Sequence, residues 1–434
     1  MKKVYIETLG CEKNTVDSSC AAGLFREAGC LITNNPAKAD ILMVNTCGFI
    51  NDAKQQSIEA IFNLVGQKTE KQKLIVSGCL SQRYSEELAK EIPEVDYFLG
   101  VNDYDKLPLI VNGTAERVNA NICGTIFTEM PRSPENLSVS ASIKIAEGCN
   151  NICSYCIIPF IRGRYRSRKP EDILAEAKML AENGVKELVV IAQDVTFYGK
   201  DFKQNDMLPK LLHDLCRIDG LKWIRLMYCY EDEITPALIE TIKNEEKIVK
   251  YIDIPIQHCS NKILKAMNRK STKESITKTV KTLRKLIPGI VIRTTLITGF
   301  PGEKKDEFDE LYSFVSDMKF DRLGVFTYSK EEGTKAALMK PQVRQDVKER
   351  RKDKIMELQR SISSENNQKY VGTVQEVLVE EDMKDGTWSG RCSFDAEGID
   401  NGVIISSKKK LKVGSFIKVK INDAFDYDLS GEAI

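Results

Sequence analysis

The sequence predicts an α/β protein in three parts: an N-terminal parallel α/β domain, an open (β/α)6 partial TIM barrel, and a small C-terminal β-barrel. Three observations carry this. Over the first third, strand and helix signals alternate and each strand closes on a cysteine. The alternation resumes through the middle, and from Tyr370 short β runs separated by turn residues replace it. At 434 residues the chain has room for about two to four domains with substantial cores.

In the first part, Val4–Leu9 reads as a strand running into Gly10 and Cys11, and a helix follows from about Asn14 to Ala28. Val16, Ala21, Leu24 and Phe25 fall on one face of that helix, and Gly29 stops it. Asp40–Asn45 is a second strand, apolar enough to be buried on both faces, and it ends at Thr46-Cys47-Gly48. Lys73–Ser77 is a third, ending at Gly78-Cys79. Ligands of parallel sheets sit outside the carboxyl ends of the strands. Cys11, Cys47 and Cys79 therefore share one edge, each beside a glycine or small residue, and suggest a metal cluster. Cys20, Cys30, Cys123, Cys216, Cys229 and Cys392 lack the strand-end pattern and read as small buried residues.

Pro131, Pro134 and the Ser-rich Ser138–Ser142 predict a linker near residues 130–140. Beyond it the expected strands are Ile143–Ala146, Leu188–Ala192, Trp223–Tyr228, Tyr251–Ile256, Val291–Ile297 and Leu323–Tyr328. The clearest helix is Glu171–Asn183, with Pro170 at its start, Ile173, Leu174, Ala177 and Leu180 on one face, and Gly184 after it. Six such units make a partial barrel whose site lies at the C-terminal ends of the strands.

Just after the first of those strands comes Cys149-Asn150-Asn151-Ile152-Cys153-Ser154-Tyr155-Cys156. Three cysteines at CxxxCxxC spacing can hold three irons of a 4Fe–4S cubane and leave the fourth without a protein ligand. An open iron can chelate the amino and carboxylate groups of S-adenosylmethionine, and an electron can then split the sulfonium C–S bond to give a carbon radical. A zinc site competes, but needs a fourth ligand, and the two histidines, His213 and His258, are distant in sequence. A disulfide framework fits poorly with thirteen cysteines, an odd number, and no export signal.

Other polar groups follow other strands: Gln193-Asp194, Gln257-His258, and the turn Thr298-Gly299-Phe300-Pro301-Gly302-Glu303. The backbone of that turn can lie against a nucleoside. His258 reads as a hydrogen-bonded loop residue rather than an acid or base. The basic run Arg162–Arg168 admits two readings, a solvated loop or a contact with an anionic cofactor or substrate.

Asp346 to about Gln368 is a charged helix linking domains, with Ile355, Met356 and Leu358 as its apolar positions. Thr373–Glu380, Trp388–Ser393, Gly402–Ser406 and Phe416–Ala424 are strands of a small barrel. From Asn366 onward nine Lys and Arg stand against twelve Asp and Glu, an acidic balance that points to a protein partner rather than RNA phosphates. The whole chain, with 64 basic and 63 acidic residues, is no general polyanion binder. The start, Met1–Glu7, meets a charge too early to be the apolar region of a signal peptide, and no apolar run reaches the length of a membrane span. A reducing cytoplasm and no membrane association are expected.

With these parts in view, the chain resembles the radical S-adenosylmethionine methylthiotransferases end to end. That family joins a three-cysteine cluster domain, a radical barrel and an OB-like TRAM domain, here expected at 1–130, 138–365 and 366–434. The phrases Asn45–Ile50, Ile191–Asp194, Tyr251–His258, Phe320–Ser329 and Asp423–Leu429 are similar to its RimO branch, which modifies an aspartate of a small-subunit ribosomal protein. The alternative is the MiaB branch, which modifies a tRNA adenosine. More distant is a ribosome-binding iron–sulfur or zinc protein without activity. Ser19, Val195 and Cys259 depart from the branch pattern, and none is a cluster cysteine.

The resemblance implies two 4Fe–4S clusters, one on Cys149, Cys153 and Cys156 that generates the radical, and an auxiliary one on Cys11, Cys47 and Cys79. It places Tyr155 near the adenine and makes Gly299 and Gly302 a support for bound S-adenosylmethionine, with Gln193 a further cofactor contact. It also implies two S-adenosylmethionine per turnover: one methylates a sulfur at the auxiliary cluster, and the other yields the radical that removes hydrogen from the aspartate β-carbon. The implied partners are a ribosomal protein loop on the ribosome or its subunit, an electron donor such as a flavodoxin or ferredoxin, and a sulfur donor.

Overall fold

The computed structural model describes residues 1–121, 131–133 and 137–434, so Cys123, Pro134 and part of the expected linker lie outside the described residues. The chain forms two compact units. One comprises Met1–Glu135, Ser142–Glu176 and Ser329–Ala337, and the other Asn136–Ala141, Ala177–Tyr328 and Leu338–Ile434.

The first unit is built on a parallel sheet of β1 (Lys3–Thr8), β2 (Leu31–Ile32), β3 (Ile41–Thr46), β4 (Lys73–Gly78), β5 (Tyr97–Leu99) and β6 (Val118–Asn119), in the order β2-β1-β3-β4-β5-β6. Its helices are α1 (Glu12–Glu27), α2 (Asn51–Gln67), α3 (Cys79–Glu91) and α4 (Leu107–Asn112). Side chains alternate across a strand, so both faces of a central strand must find a layer. Met43 and Ile75 join Phe25 of α1 and Ile110 of α4 on one side, while Leu42 and Leu74 join Ile61 of α2 and Leu80 of α3 on the other. All six residues of β3 are buried, as its continuous apolar run predicts.

After β7 (Ser140–Lys144), β8 (Ala146–Glu147) pairs antiparallel with β9 (Arg166–Ser167). This ladder pinches off the loop that carries Cys149, Cys153, Cys156 and the short α5 (Ile158–Arg162). The helix α6 (Pro170–Glu182) follows. The expectation that Ser138–Ser142 is linker needs correction, because Ser140–Ser142 lie in the fully buried β7. Their hydroxyls serve carboxylates, Ser140 donating to Glu187 at 2.6 Å and Ser142 to Glu12 at 3.1 Å, so a polar composition is compatible with burial here. Residues 329–337 return to this unit as a strap. Glu331 accepts from Lys54 of α2 at 2.9 Å and Arg83 of α3 at 2.8 Å, and the Ala336 N–H donates to Ser154 O at 2.8 Å.

The second unit holds β10 (Glu187–Ile191), β11 (Trp223–Leu226), β12 (Ile248–Asp253), β13 (Val291–Thr298) and β14 (Arg322–Thr327), in an open parallel sheet ordered β14-β13-β12-β11-β10-β7. The helices α7 (Met207–Cys216), α8 (Pro236–Asn244), α9 (Asn261–Ala266), α10 (Lys273–Leu286) and α11 (Lys305–Met318) alternate with the strands, as a partial barrel requires. The short α12 (Lys335–Leu338) then leads to α13 (Gln345–Gln368). This last helix links sheet and C-terminal barrel: Gln359 donates to Phe320 O at 3.0 Å and Asn367 to Tyr427 O at 2.7 Å.

The C-terminal barrel closes in the order β15-β16-β17-β19-β18, from β15 (Val374–Asp382), β16 (Thr387–Cys392), β17 (Val403–Ser406), β18 (Phe416–Ala424) and β19 (Leu429–Ala433). The fifth strand, β19, escapes the sequence reading because Gly431 interrupts its pattern. A side chain there would strike the Lys420 carbonyl of β18, so close strand approach demands the glycine. A buried ionic layer joins this barrel to the sheet. Glu187 pairs with Arg225 at 2.7 Å and with Arg391, and Arg322 with Asp395 at 2.6 Å. Glu187 and Arg322 open their strands, so the barrel covers the N-terminal edge of the sheet and leaves the opposite edge, where the strands end, to a site.

Candidate metal centre

The three strand-end cysteines are brought together by register. Thr8 of β1 is level with Asn45 of β3, and Asn45 with Ser77 of β4, so Cys11, Cys47 and Cys79 leave neighbouring strands at one height. Close approach is secured by glycine. Gly10 has φ +92°, and a Cβ on it would lie 2.9 Å from Cys47 Cβ and 3.2 Å from Cys47 Sγ. Gly78, with φ +93°, would strike Asn45 and the Thr46 carbonyl. Cys11 precedes the first turn of α1 and Cys79 opens α3, so both stand at the start of a helix.

Neighbouring groups fix these cysteines. Ser57, fully buried on α2, takes the Cys47 N–H at 2.9 Å and returns its hydroxyl to Cys47 O at 3.0 Å. Burial pushes the Cys47 thiol up to about 11, with Cys79 and Cys11 adding to it. Burial likewise raises the Cys79 thiol while Arg162 pulls it down. Metal binding at this edge must therefore displace protons. No three His, Cys, Asp or Glu side chains among the described residues converge as ligands of one ion would. A cubane takes one thiolate per iron, and three thiols at one sheet edge are a donor set of that kind.

The CxxxCxxC loop is shaped independently. Gly148, at φ +80°, abuts the Arg164 and Gly163 carbonyls, which leave no room for a side chain. The Cys149 N–H donates to Gly163 O at 3.1 Å, the Cys156 N–H to Cys153 O at 3.1 Å, and the Asn151 N–H points at Cys149 Sγ at 3.4 Å. Cys149 and Cys153 are buried, and Cys156 and Tyr155 half-buried. Ile157 and Ile161 pack in one apolar cluster with Cys79 and Val101, so the loop and the strand-end cysteines share a wall.

Arg162 completes that junction. It is 1 % exposed, and its guanidinium lies 3.0 Å from both Glu147 and Asp17, 2.8 Å from Asn14 Oδ1 and 3.4 Å from Cys79 Sγ. Lys144 pairs with the same two carboxylates. Burial works to lower its ammonium pKa, but Asp17 and Glu147 outweigh burial and hold it above its ordinary value. The solvated-loop reading of Arg162–Arg168 is thereby corrected. Arg162 and Arg168 are buried, and Arg168 is spent on Glu176 at 2.6 Å, because carboxylates of α1, β8 and α6 supply the charge that solvent was expected to supply. Asn14, Asp17, Lys144 and Glu147 were not singled out from sequence. Burial of a polar residue leaves no local signature.

In the second unit, Gln193 and Asp194 follow β10, and the Asp194 carboxylate caps the turn at Phe197. His258 is fully buried, accepting from the Ser260 N–H at 2.9 Å and lying 3.5 Å from Glu303, a loop residue held by hydrogen bonding as expected. In the Gly299–Gly302 turn, the Gly299 N–H donates to Glu303 at 2.9 Å and the Gly302 N–H to Pro341 O at 3.0 Å. The structure adds Tyr228, which like the expected Gln257 stands at positive φ (60° and 67°) beyond the ends of β11 and β12. Backbone strain of this kind gathers at functional edges.

Three family models match the chain: uncharacterized protein family UPF0004 over residues 3–100, the radical SAM superfamily over 143–315 and the TRAM domain over 371–434. The chain is similar to a ribosomal protein uS12 methylthiotransferase RimO from Thermoanaerobacter sp. (strain X514), 49% identical over 439 residues that cover 100% of both chains. The corresponding RimO of Clostridioides difficile (strain 630) is 49% identical over 100% of this chain and 99% of its own. Among solved structures, a radical S-adenosylmethionine methyltransferase, TsrM from Kitasatospora setae, described with cobalamin and a [4Fe-4S] cluster bound, superposes with a TM-score of 0.59. At 13% identity over 86% of this chain and 80% of that one, this likeness shows a shared fold. Full-length identity near one half, with all three family segments in order, establishes that the chain belongs to the RimO family of ribosomal protein uS12 methylthiotransferases, radical S-adenosylmethionine enzymes.

Proposed function

We propose that the chain methylthiolates the β-carbon of an aspartate in ribosomal protein uS12, consuming two S-adenosylmethionine per turnover. Cys149, Cys153 and Cys156 hold a 4Fe–4S cluster with one open iron, and Cys11, Cys47 and Cys79 hold a second. The observation that carries this reading is the level register of three cysteine-bearing strand ends, joined through Arg162 and a common apolar wall to a CxxxCxxC loop. When bound, the open-iron cluster and S-adenosylmethionine supply a carbon radical, and the auxiliary cluster supplies the site of sulfur transfer.

The chain's residues do the rest. The β8–β9 ladder and Gly148 fix the loop, and Ser57 and Gly10 hold Cys47 close to its neighbours. Ile157, Ile161 and Val101 exclude water from the wall beside Cys79. Tyr155, Gln193, Gly299 and Gly302 contact the cofactor. The division proposed is 1–130, 138–365 and 366–434, supported by family segments at 3–100, 143–315 and 371–434. A flavodoxin or ferredoxin delivers electrons, a separate donor supplies sulfur, and the work is done in the cytoplasm, where ribosomes are assembled. No helix among the described residues is long and apolar enough to cross a membrane.

The test is anaerobic incubation of the reconstituted chain with dithionite and S-adenosylmethionine, offering either a uS12 target-loop peptide or undermodified tRNA. A gain of roughly 46 Da on the peptide's aspartate, a methylthio group replacing hydrogen, is expected. The same gain on tRNA alone overturns the substrate.

A further inference from the structure

We propose that Arg162 is a positioning residue that raises the reduction potential of the N-terminal cluster by donating a hydrogen bond to the sulfur of Cys79. The proposal rests on the reading of Cys11, Cys47 and Cys79 as ligands of that cluster.

The geometry leaves the guanidinium little freedom. Arg162 ends α5, Gly163 at φ +77° turns the chain away behind it, and the side chain is 1 % exposed. Nη1 is clamped between Glu147 and Asp17 at 3.0 Å each, so the planar fork must aim Nη2 elsewhere. It aims at Asn14 Oδ1, 2.8 Å away, and at Cys79 Sγ, 3.4 Å away. Asn14 is itself fixed, donating to Leu9 O at 2.8 Å and Thr46 O at 3.1 Å beside the other two cysteines. A lysine at 162, with one compact ammonium, cannot meet two carboxylates, an amide oxygen and a sulfur at once.

The charges decide the sign. Asp17 and Glu147 are balanced by Lys144 and Arg162, all buried. A cluster gains negative charge on reduction, and a donor on a ligating sulfur stabilises that reduced state, the more so in a dry site where hydrogen bonds are strengthened. Removing the donor leaves the carboxylates to oppose reduction. Hydrogen bonding to a thiolate is one of the few levers a protein has over such a potential. The same residue belongs to the loop of the other three cysteines, so the tuning group for one site is placed by the fold of the other.

The test uses the full chain with Cys149, Cys153 and Cys156 all changed to Ser, reconstituted anaerobically with iron and sulfide so that the N-terminal cluster alone remains. Iron per chain and the midpoint from an EPR-monitored redox titration are measured for this reference, for added Arg162→Lys, and for added Lys144→Gln. The last disturbs the same ion-pair network away from the sulfur. Arg162→Lys is expected to keep its iron and to shift the one-electron equilibrium about tenfold toward the oxidised state, ~59 mV more negative. Lys144→Gln is expected to move it by less than half as much. An unmoved midpoint in Arg162→Lys, an equal shift in Lys144→Gln, or loss of iron from Arg162→Lys alone overturns the tuning role while the cluster assignment stands. A reference chain that binds no iron overturns the assignment itself, and the proposal with it.

Discussion

Replacing Glu187 by Gln preserves shape and removes one charge from the layer between the sheet and the C-terminal barrel. The carboxylate is fully buried, 2.7 Å from Arg225 Nε and 2.6 Å from Ser140 Oγ, and is also paired with Arg391. Burial works to raise its pKa, but Arg225 and Arg391 outweigh burial and hold it at about 2. A carboxyl depressed in the folded state stabilises the fold above its unfolded value of 4.5 and loses that contribution as pH falls toward 2. At about 1.4 kcal/mol per pH unit the stabilisation is about 3 kcal/mol at neutral pH. Breaking a buried pair by removing one partner costs about 3–5 kcal/mol, an independent route to a similar figure. The chain's two tryptophans, Trp223 on β11 and Trp388 on β16, stand on the two sides of this layer, so intrinsic fluorescence follows it. In urea at pH 7 the Glu187→Gln transition is expected to fall by about 1–1.5 M for a slope of about 2–3 kcal/mol/M. The gap to wild type narrows as pH drops below 4.5, and adding Arg225→Met recovers part of the loss. A loss under about 1 kcal/mol, or a gap that widens on acidification, refutes the reasoning.

Cys149→Ala, Cys153→Ala and Cys156→Ala are each expected to abolish deoxyadenosine formation, whereas Cys47→Ala retains some cleavage but inserts no sulfur, as chromatography and peptide mass will report. Gly10→Ala combines a strained φ with a clash against Cys47. It is expected to lower bound iron by roughly half, one cluster of two, with the loop cluster's signal intact by EPR. Burial pushes the Glu397 carboxyl up to about 7, so its stabilising contribution is present at acid pH and is lost as pH rises through 7. Thermal melts of Glu397→Gln should therefore gain on wild type between pH 5 and 8, and a constant difference across that range rejects the assignment.

What was legible in the sequence followed from periodicity and chain punctuation. Cys11, Cys47 and Cys79 could be placed on one edge because each follows an apolar run, and parallel strands put their ends together. The β10–β14 strands were readable for the same reason, being buried runs between amphipathic helices. Arg162 was visible only as part of a basic run, since nothing in its neighbours reveals that Asp17, about 145 residues earlier, waits for it. Ser140–Ser142 resembled linker because a serine that serves a buried carboxylate has the same composition as one in solvent. In β19, Gly431 hides a strand by satisfying a close approach from a partner strand that local pattern does not contain.

The strap has a consequence for synthesis of the chain. Arg83 and Glu331 are 248 residues apart, and Lys54 relies on the same carboxylate. At about 5–20 residues per second, roughly 12–50 s pass between their appearances at the ribosome. During that interval α2 and α3 stand without their acid, and the Ser154 carbonyl beside Cys153 lacks the Ala336 N–H. A protein that acts on a ribosomal protein thus cannot finish its own first unit until the ribosome has made more than three quarters of the chain.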